Sequence, residues 1–477
     1  MKHFLAFLCL VCLSCAAIAQ EEYDPLNAVV RVDTTFQQPD YFIPWQDKMQ
    51  DASIGSGVVI GGNRILTNAH NVANATYITV KKQSGDDSYH ASVLAVDYGC
   101  DLALLQVDDE AFFADIVPFE IGETPPTQTQ VAVVGFPVGG EELSVTLGII
   151  SRIELQTYHT SLYNLLAAQL DAAVNPGNSG GPVLYDGKIV GIVFQYRKNS
   201  NNIGYMIPTE IIRHFLTDIA DGRVDGFGTI GVTIAGMENP DTRRFFKMQA
   251  GQTGIRVIGV EGPNAKTIRR DDVLLALDGV KIANNGNIRL ATGEPRSFRT
   301  LISRKQIGEM VRLTILRDGE QLEVQVPVRN FDFRCKQFLY DTLPDYYIVG
   351  GFVFTTLSYS FLDEYTQDPP AELAELMFAE KQAPDDEIVV CSFVLADQVN
   401  LGAQGLSAEV LTSVNGQPVR NLREFIAMVE GSDEEFITWC FGKDDYPVTL
   451  DLRKLRAATP AILERYRVPA DRSASLR

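Results

Sequence analysis

Short apolar runs broken by Gly, Asn and Asp fill the chain from Asn27 to about Pro208: "AVVRV", "SGVVIGG", "RILTNAHNV", "YITVKK", "LALLQV", "VAVVGFP" and "PVLYDGKIVGIVF". No long helical period runs through them. Short strands at regular spacing, with turn residues between, point to an all-β barrel or sandwich. A helical pattern appears only at the end of this region. There "TEIIRHFLTDIADG" sets Ile211, Ile212, Phe215, Leu216 and Ile219 at helical spacing. Thr209 is placed to cap this helix and Gly222 to end it.

At 477 residues the chain is too long for one core. Beyond the first unit it reads as two similar pieces. One holds "IGVTI", "GIRVIGVEG", "DDVLLALDGVKI" and "VRLTILRDGEQLEVQVPV"; the other holds "GGFVFTTLS", "IVVCSFVL", "EVLTSVNGQPVRNLREFIAMVEG" and "FITWCFGKDDYPVTLDL". In each, a strand enters a tight turn, Asp278-Gly279 or Asn415-Gly416, and a short strand, a helix and a final hairpin come after it. This is an internal repeat of roughly 100 residues. The expected organisation is a first unit over 20–225, repeats over 226–335 and 336–460, and a C-terminal tail over 461–477. The chain as a whole is expected to be mainly β, with two α+β units after the first.

The N-terminus reads as an address rather than as fold. Lys2 precedes "FLAFLCLVCL", and Ala17-Ile18-Ala19 forms a small-residue cleavage site, so a secretory leader over 1–19 is expected. Lipidation at Cys15 is disfavoured because "CLSC" is a poor lipid-attachment motif. Export by such a leader implies a periplasmic location. Of the seven Cys, 9, 12 and 15 fall in the leader and Cys100, Cys335, Cys391 and Cys440 remain. Their spacing fits no metal motif. In an oxidising compartment some of Cys335, Cys391 and Cys440 could pair, or all could stay as buried thiols. The net charge of -20 argues against non-specific binding to nucleic acid or anionic lipid. No phosphate loop of the G-x-x-x-x-G-K-[ST] type is present, so neither ATP nor any other nucleotide is implied, and neither metal nor cofactor is expected.

Chemistry gathers at "DAAVNPGNSGGPVL", where Pro176, Gly177, Gly180, Gly181 and Pro182 surround Ser179. A serine hydroxyl becomes a nucleophile when a base takes its proton. His70, in "ILTNAHNV" just after an apolar strand, has the right pKa range. Asp101, in "GCDLALLQV" just before another, can fix the imidazole tautomer. Taken alone, each residue has a plain structural explanation. The order His, Asp, Ser, with every member at a strand or turn junction, makes a catalytic triad the better reading. The turn Gly177, Asn178, Ser179 then supplies backbone N–H donors to an oxyanion. Gly180 and Gly181 are expected to leave room for a substrate strand. His3, His90, His159 and His214 are weaker candidates for the base.

These stretches resemble the HtrA/Deg serine proteases, whose protease domain is a trypsin-like double β-barrel. The resemblance is carried by "GSGVVI", "ILTNAHNV", "CDLALLQV", "VVGFPVGG", "LSVTLGIISRI", "LDAAVNPGNSGGPVL" and "IGYMIP"; the two repeats resemble PDZ domains. "PDYFIPWQ", "VLADQVNLG" and "VNGQPVRNL" are nearest in wording to the plant-type Deg branch. The resemblance implies the triad His70, Asp101 and Ser179, and a specificity loop in which Ile203, Gly204 and Tyr205 neighbour the substrate. It also implies a carboxylate nest for peptide C-termini at Thr229, Ile230, Gly231 and Val232. Unfolded or damaged proteins are the implied substrates, and a homo-oligomer of trimers the implied assembly. In the second repeat "FTTLSYSFLDEY" departs from the usual short strand after the nest. A structural or assembly role is expected there, with residues beyond about 340 mattering more to oligomer size than to hydrolysis of a short peptide. A PDZ-based holdase with a regulatory protease domain is the alternative, and the intact triad speaks against it.

Overall fold

The computed structural model describes residues 24–477 except 84, 86, 140, 141, 197–203, 290–292, 332, 366 and 367, and the side chains of 195 and 196. The expected leader, with Cys15 and His3, lies outside the described residues. The apolar runs of the first unit become strands. Six close a barrel: β1 (Val29–Phe36), β2 (Asp51–Ile60), β3 (Arg64–Thr67), β4 (Ala75–Lys82), β5 (Ser88–Asp97) and β6 (Leu102–Val107), ordered β1-β2-β3-β6-β5-β4. Six more close a second: β7 (Gln130–Gly135), β8 (Ser144–Thr157), β9 (Asn164–Leu170), β10 (Pro182–Tyr185), β11 (Lys188–Tyr196) and β12 (Gly204–Pro208), ordered β10-β11-β12-β9-β8-β7.

Alternation along a strand explains why several runs are apolar without a break. In β6, Ala103 and Leu105 point into the first barrel with Val59 and Ile65. Leu102 and Leu104 point the other way, into a core shared with Leu166, Ile192 and Phe215 of the second half. One strand therefore serves two cores, and both of its faces are dry. Helix α1 (Thr209–Asp218) buries Ile211, Ile212 and Phe215 in that shared core, and Gly222 ends the helical segment at φ 83°. Its N-cap is Pro208. Thr209 instead exchanges hydrogen bonds with Thr124, 2.9 Å between the hydroxyls.

The repeat forms as two antiparallel sheets. The first runs Val232–Ala235, Ile255–Val260, Val273–Leu277, Met310–Arg317, Glu320–Pro327, and its first strand is an open edge. The second runs Tyr346–Val349, Phe352–Thr356, Val389–Val394, Glu409–Val414, Phe436–Phe441, Tyr446–Asp451. Both tight turns are left-handed at each central residue, 49° and 84° at Asp278-Gly279 and 49° and 78° at Asn415-Gly416. This is the twist that Asp-Gly and Asn-Gly favour.

Two expectations need correction here. Phe352–Thr356 is a strand, as in the first repeat, and Tyr359 and Phe361 fall in a separate short helix, Tyr359–Asp363. That helix packs with Tyr41, Phe42, Leu357 and Leu373. The stretch 461–477 is not a free tail. Helix Leu452–Tyr466 crosses its supposed start, Ile348 N–H donates to Asp471 O at 2.6 Å, and Leu476 lies in the second repeat's core. Apolar residues such as Ile462 and Leu476 need a face to cover, and the outer strand Tyr346–Val349 provides one. Cys100, Cys335, Cys391 and Cys440 are all free thiols.

Candidate active site

Antiparallel pairing brings His70 and Asp101 together. Strand β3 ends as β6 begins, with Thr67 opposite Ala103, so the residues just beyond each strand emerge side by side. His70 sits on a single 3-10 turn, Ala69–Asn71. Asp101 is held at φ 57°, a left-handed conformation unusual outside glycine. Asn68 Nδ2 donates to Asp101 O at 2.9 Å, and the backbone N–H of His70 donates to Asp101 Oδ1 at 2.9 Å. The carboxylate faces the ring, with Nδ1 2.8 Å from Oδ2 and 3.0 Å from Oδ1. Asp101 is only 3% exposed and the imidazole 36%, so the carboxylate is buried behind a ring that solvent still reaches. Burial disfavours the imidazolium. The charge and hydrogen bond of Asp101 more than offset this, and the ring's pKa is raised above its ordinary value.

Ser179 lies just before β10 of the second barrel and is tied to the first barrel through its backbone. Its carbonyl accepts from Ser56 N–H at 2.8 Å and from Asn71 Nδ2 at 2.9 Å. The turn is thereby tied to β2 and to the residue after His70. Among the described residues the Ser179 hydroxyl makes no hydrogen bond to the ring. Of the three donors grouped at the turn, the N–H groups of Gly177 and Ser179 have no acceptor among the described residues. Asn178 is not available, because its N–H donates to Asn175 O at 3.1 Å. Gly177 sits at φ 97°, and a Cβ on it would fall 2.3 Å from Phe136 O. Gly180 and Gly181 do not clear a substrate path. A Cβ on Gly180 would fall 2.0 Å from Ser56 O, and one on Gly181 would fall 2.1 Å from Val134 O. These glycines let the turn press against the protein's own backbone.

Ser56 is a residue that sequence reasoning passed over. Its hydroxyl donates to Gly177 O at 2.7 Å and accepts from Phe136 N–H at 2.8 Å, so it sets the direction of the Gly177 peptide. Asn71 was missed too. Both lie inside quoted stretches, "GSGVVI" and "NAHNV", but their partners are far away in sequence and left no local signal. The specificity-loop candidates separate. Ile203 lies outside the described residues. Gly204 is buried against Val174. Tyr205 is 1% exposed in the shared core, and among the described residues its buried hydroxyl finds no partner. The other histidines are placed elsewhere. His90 pairs with Asp108 at 2.6 Å, His159 is exposed, and His214 Nε2 lies 3.2 Å from Gly226 O. Among the described residues no three His, Cys, Asp or Glu side chains converge as a metal-binding group.

Thr229–Val232 enters the open-edge strand of the first repeat. Gly231 is left-handed at φ 71°, and its N–H donates to Thr229 Oγ1 at 3.0 Å. The segment lines a cavity of about 210 Å³ with Phe298 and Ile302 on one side and Leu162, Phe333 and Phe378 on others. In the second repeat the matching edge is taken. Tyr346–Val349 pairs along Phe352–Thr356 from Tyr346–Thr355 to Val349–Phe352. Phe352 and Phe354 are fully buried and pack on Trp439 at 4.9 and 5.3 Å between ring centroids.

Comparison with known proteins finds three domain matches along the chain. Residues 55–192 match a trypsin-like peptidase domain, and 228–328 and 335–475 each match a PDZ domain. Protease Do-like 2, chloroplastic, of Arabidopsis thaliana is 37% identical over 459 residues, covering 94% of this chain and 75% of that one. Protease Do-like 4, mitochondrial, of the same plant is 37% identical over 448 residues, covering 93% and 84%. Among solved structures, the HtrA-type protease AlgW with tripeptide is 26% identical at a TM-score of 0.50, covering 64% of this chain and 94% of that one.

Proposed function

The chain belongs to the HtrA/Deg family of serine proteases, and on that premise we propose that it is an ATP-independent endopeptidase for unfolded or damaged protein, working through His70, Asp101 and Ser179. The observation that carries this reading is the buried Asp101 carboxylate 2.8 Å from His70 Nδ1, beside a turn with two unengaged N–H groups. In this mechanism Ser179 Oγ attacks the peptide carbonyl carbon while His70 Nε2 takes its proton. Asp101 holds the Nδ1 proton and stabilises the imidazolium. Negative charge growing on the carbonyl oxygen is met by the N–H groups of Gly177 and Ser179, which need no reorganisation. The imidazolium protonates the leaving amine, and water, deprotonated by the same ring, hydrolyses the acyl-enzyme. Casein should be cut without added nucleotide, and a tightly folded protein of the same size should survive. Equal rates on folded and unfolded substrates would remove the quality-control reading and leave the protease.

The same reading assigns the first repeat to peptide C-termini and denies that role to the second. A PDZ domain binds its ligand as an added strand with the carboxylate in a backbone nest. Strand Val232–Ala235 has a free edge for this, whereas Phe352–Thr356 has its own chain there. Opening the second groove would also strip Phe352 and Phe354 from the core, at about 1.5–3 kcal/mol for each ring. Full-length Ser179→Ala should therefore bind one apolar peptide per chain when its C-terminus is free, and none when it is amidated. Two equivalent sites would contradict the assignment.

For location, the leader read over 1–19 supports export out of the cytoplasm. The organelle names of the Arabidopsis relatives, chloroplastic and mitochondrial, belong to those proteins. Assembly into trimers or multiples of trimers is proposed from family likeness.

A further inference from the structure

We propose that Asp341, just before the first strand of the second PDZ domain, is a positioning residue for the His70–Asp101 pair: it ties together the two loops that present them. The proposal rests on the reading of that pair as base and orienter.

The ladder between β3 and β6 ends at Thr67–Ala103, so beyond it the spacing of the two loops needs other restraints. Some are local. Asp97 Oδ1 accepts from Gly99 N–H at 2.7 Å within the turn that delivers Asp101, and Asn68 reaches across to Asp101 O. Ser161 Oγ donates to Gly99 O at 2.9 Å, and further restraints come from the far end of the sequence. Asp341 Oδ1 accepts from the N–H of Asn74, just past the turn carrying His70, at 2.7 Å. Asn74 Oδ1 accepts in return from the N–H of Asp341 at 2.9 Å. Asp341 Oδ2 accepts from the Tyr98 hydroxyl at 2.5 Å, and Tyr98 lies in the Asp101 turn. One carboxylate thus bridges the His70 side and the Asp101 side.

The bridge is braced. Tyr98 stacks on Tyr340 with ring centroids 3.9 Å apart and planes 19° from parallel. The Tyr340 hydroxyl donates to Thr160 O at 3.3 Å. Burial raises the pKa of the Tyr340 phenol, and the Asp101 charge raises it next, so this ring lies within electrostatic reach of the carboxylate that orients the imidazole. The segment is anchored behind by the Tyr41 hydroxyl on Leu339 O and by Leu339 N–H on Ser360 Oγ at 2.8 Å. Asn74 and Asp341 are both left-handed, at φ 55° and 57°, so the reciprocal pair joins two turn corners. Residues near 340, expected from sequence to matter more to oligomer size than to hydrolysis of a short peptide, are in contact with the loops of the candidate active site.

Misplacing a catalytic group by an ångström costs up to about 10²-fold in rate, and a partial loosening costs less. In the full chain, with a short chromogenic peptide, Asp341→Ala should lower kcat about tenfold and leave KM within about twofold. Asp341→Asn keeps an oxygen for Asn74 and an amide for the Tyr98 hydroxyl, so it should restore kcat to within about twofold of wild type. In an Asp101→Asn background, Asp341→Ala should add less than about twofold, because both act through the ring. If Asp341→Ala fails to fold, Tyr98→Phe removes one arm of the bridge and should lower kcat about threefold at an unchanged thermal midpoint. Wild-type kcat in Asp341→Ala or Tyr98→Phe, or a raised KM at wild-type kcat, overturns the proposal while Asp101→Asn is still impaired. Wild-type kcat in Asp101→Asn itself overturns the underlying reading instead.

Discussion

Ser179→Ala should abolish peptide hydrolysis, by a factor on the order of 10⁴ or more in kcat, and leave the thermal midpoint where it was. The two halves of this result have separate causes. The rate depends on an oxygen that attacks the carbonyl, and alanine has none. Stability does not depend on it, because among the described residues the hydroxyl makes no hydrogen bond. The turn is held by the Ser179 carbonyl on Ser56 and Asn71, and by Gly180 N–H on Val193 O at 2.8 Å. The His70–Asp101 contact makes no use of Ser179. The variant should still bind the free-carboxylate peptide, which also separates an endopeptidase from a holdase. Near-normal hydrolysis by purified Ser179→Ala would assign the chemistry to another residue.

Much of the fold and of the candidate site was legible in the residues, for physical reasons that differ from one feature to the next. The strands of the first unit could be read because a β-strand writes its burial directly into its sequence, as "LALLQV" does when alternate residues serve two cores; the runs alone left barrel and sandwich open, and the double barrel came with the family resemblance. The turns at Asp278-Gly279 and Asn415-Gly416 could be read because few residues tolerate two successive positive φ values. The candidate site could be read because a strained, glycine-rich turn beside a serine has few other uses. Partnerships formed by long-range closure could not be read. Nothing in Ser56 announces that its hydroxyl will orient the Gly177 peptide from the other barrel. Nothing in Asp341 announces Asn74 and Tyr98. The filled edge of the second PDZ domain was legible only in part. The aromatic excess was plain, but Phe352 and Phe354 fill the core, while Tyr359 and Phe361 pack with Tyr41 and Phe42 from the N-terminal segment. The edge itself is closed by a strand, Tyr346–Val349. Alternation along β12 turns the Tyr205 ring into the shared core, a placement that its position in the sequence did not announce.

Asp101→Asn should lower kcat by a factor on the order of 10⁴ and should also move the acid limb of the pH profile, which is the sharper test of its role. In the wild type His70 must be neutral to accept the Ser179 proton, so kcat/KM falls as pH drops through the imidazole pKa. Burial alone would lower that pKa, and the Asp101 charge and hydrogen bond raise it above the ordinary value. The wild-type midpoint should therefore lie above about 6.5. Asparagine removes the charge and leaves the burial, so the midpoint should shift to lower pH. The rate should stay low on the plateau as well, for a reason unrelated to charge. The amide can still accept the His70 backbone N–H through its oxygen, so the 3-10 turn keeps its place. Its NH₂, facing Nδ1, donates where the carboxylate accepted. That favours the tautomer with the proton on Nε2, which cannot take a proton from serine. Profiles of kcat/KM from pH 5 to 9, with a thermal melt of each protein, resolve the two effects. A midpoint unchanged by Asp101→Asn, or moved upward, would mean that this carboxylate does not set the ionisation of His70, whatever happens to the rate.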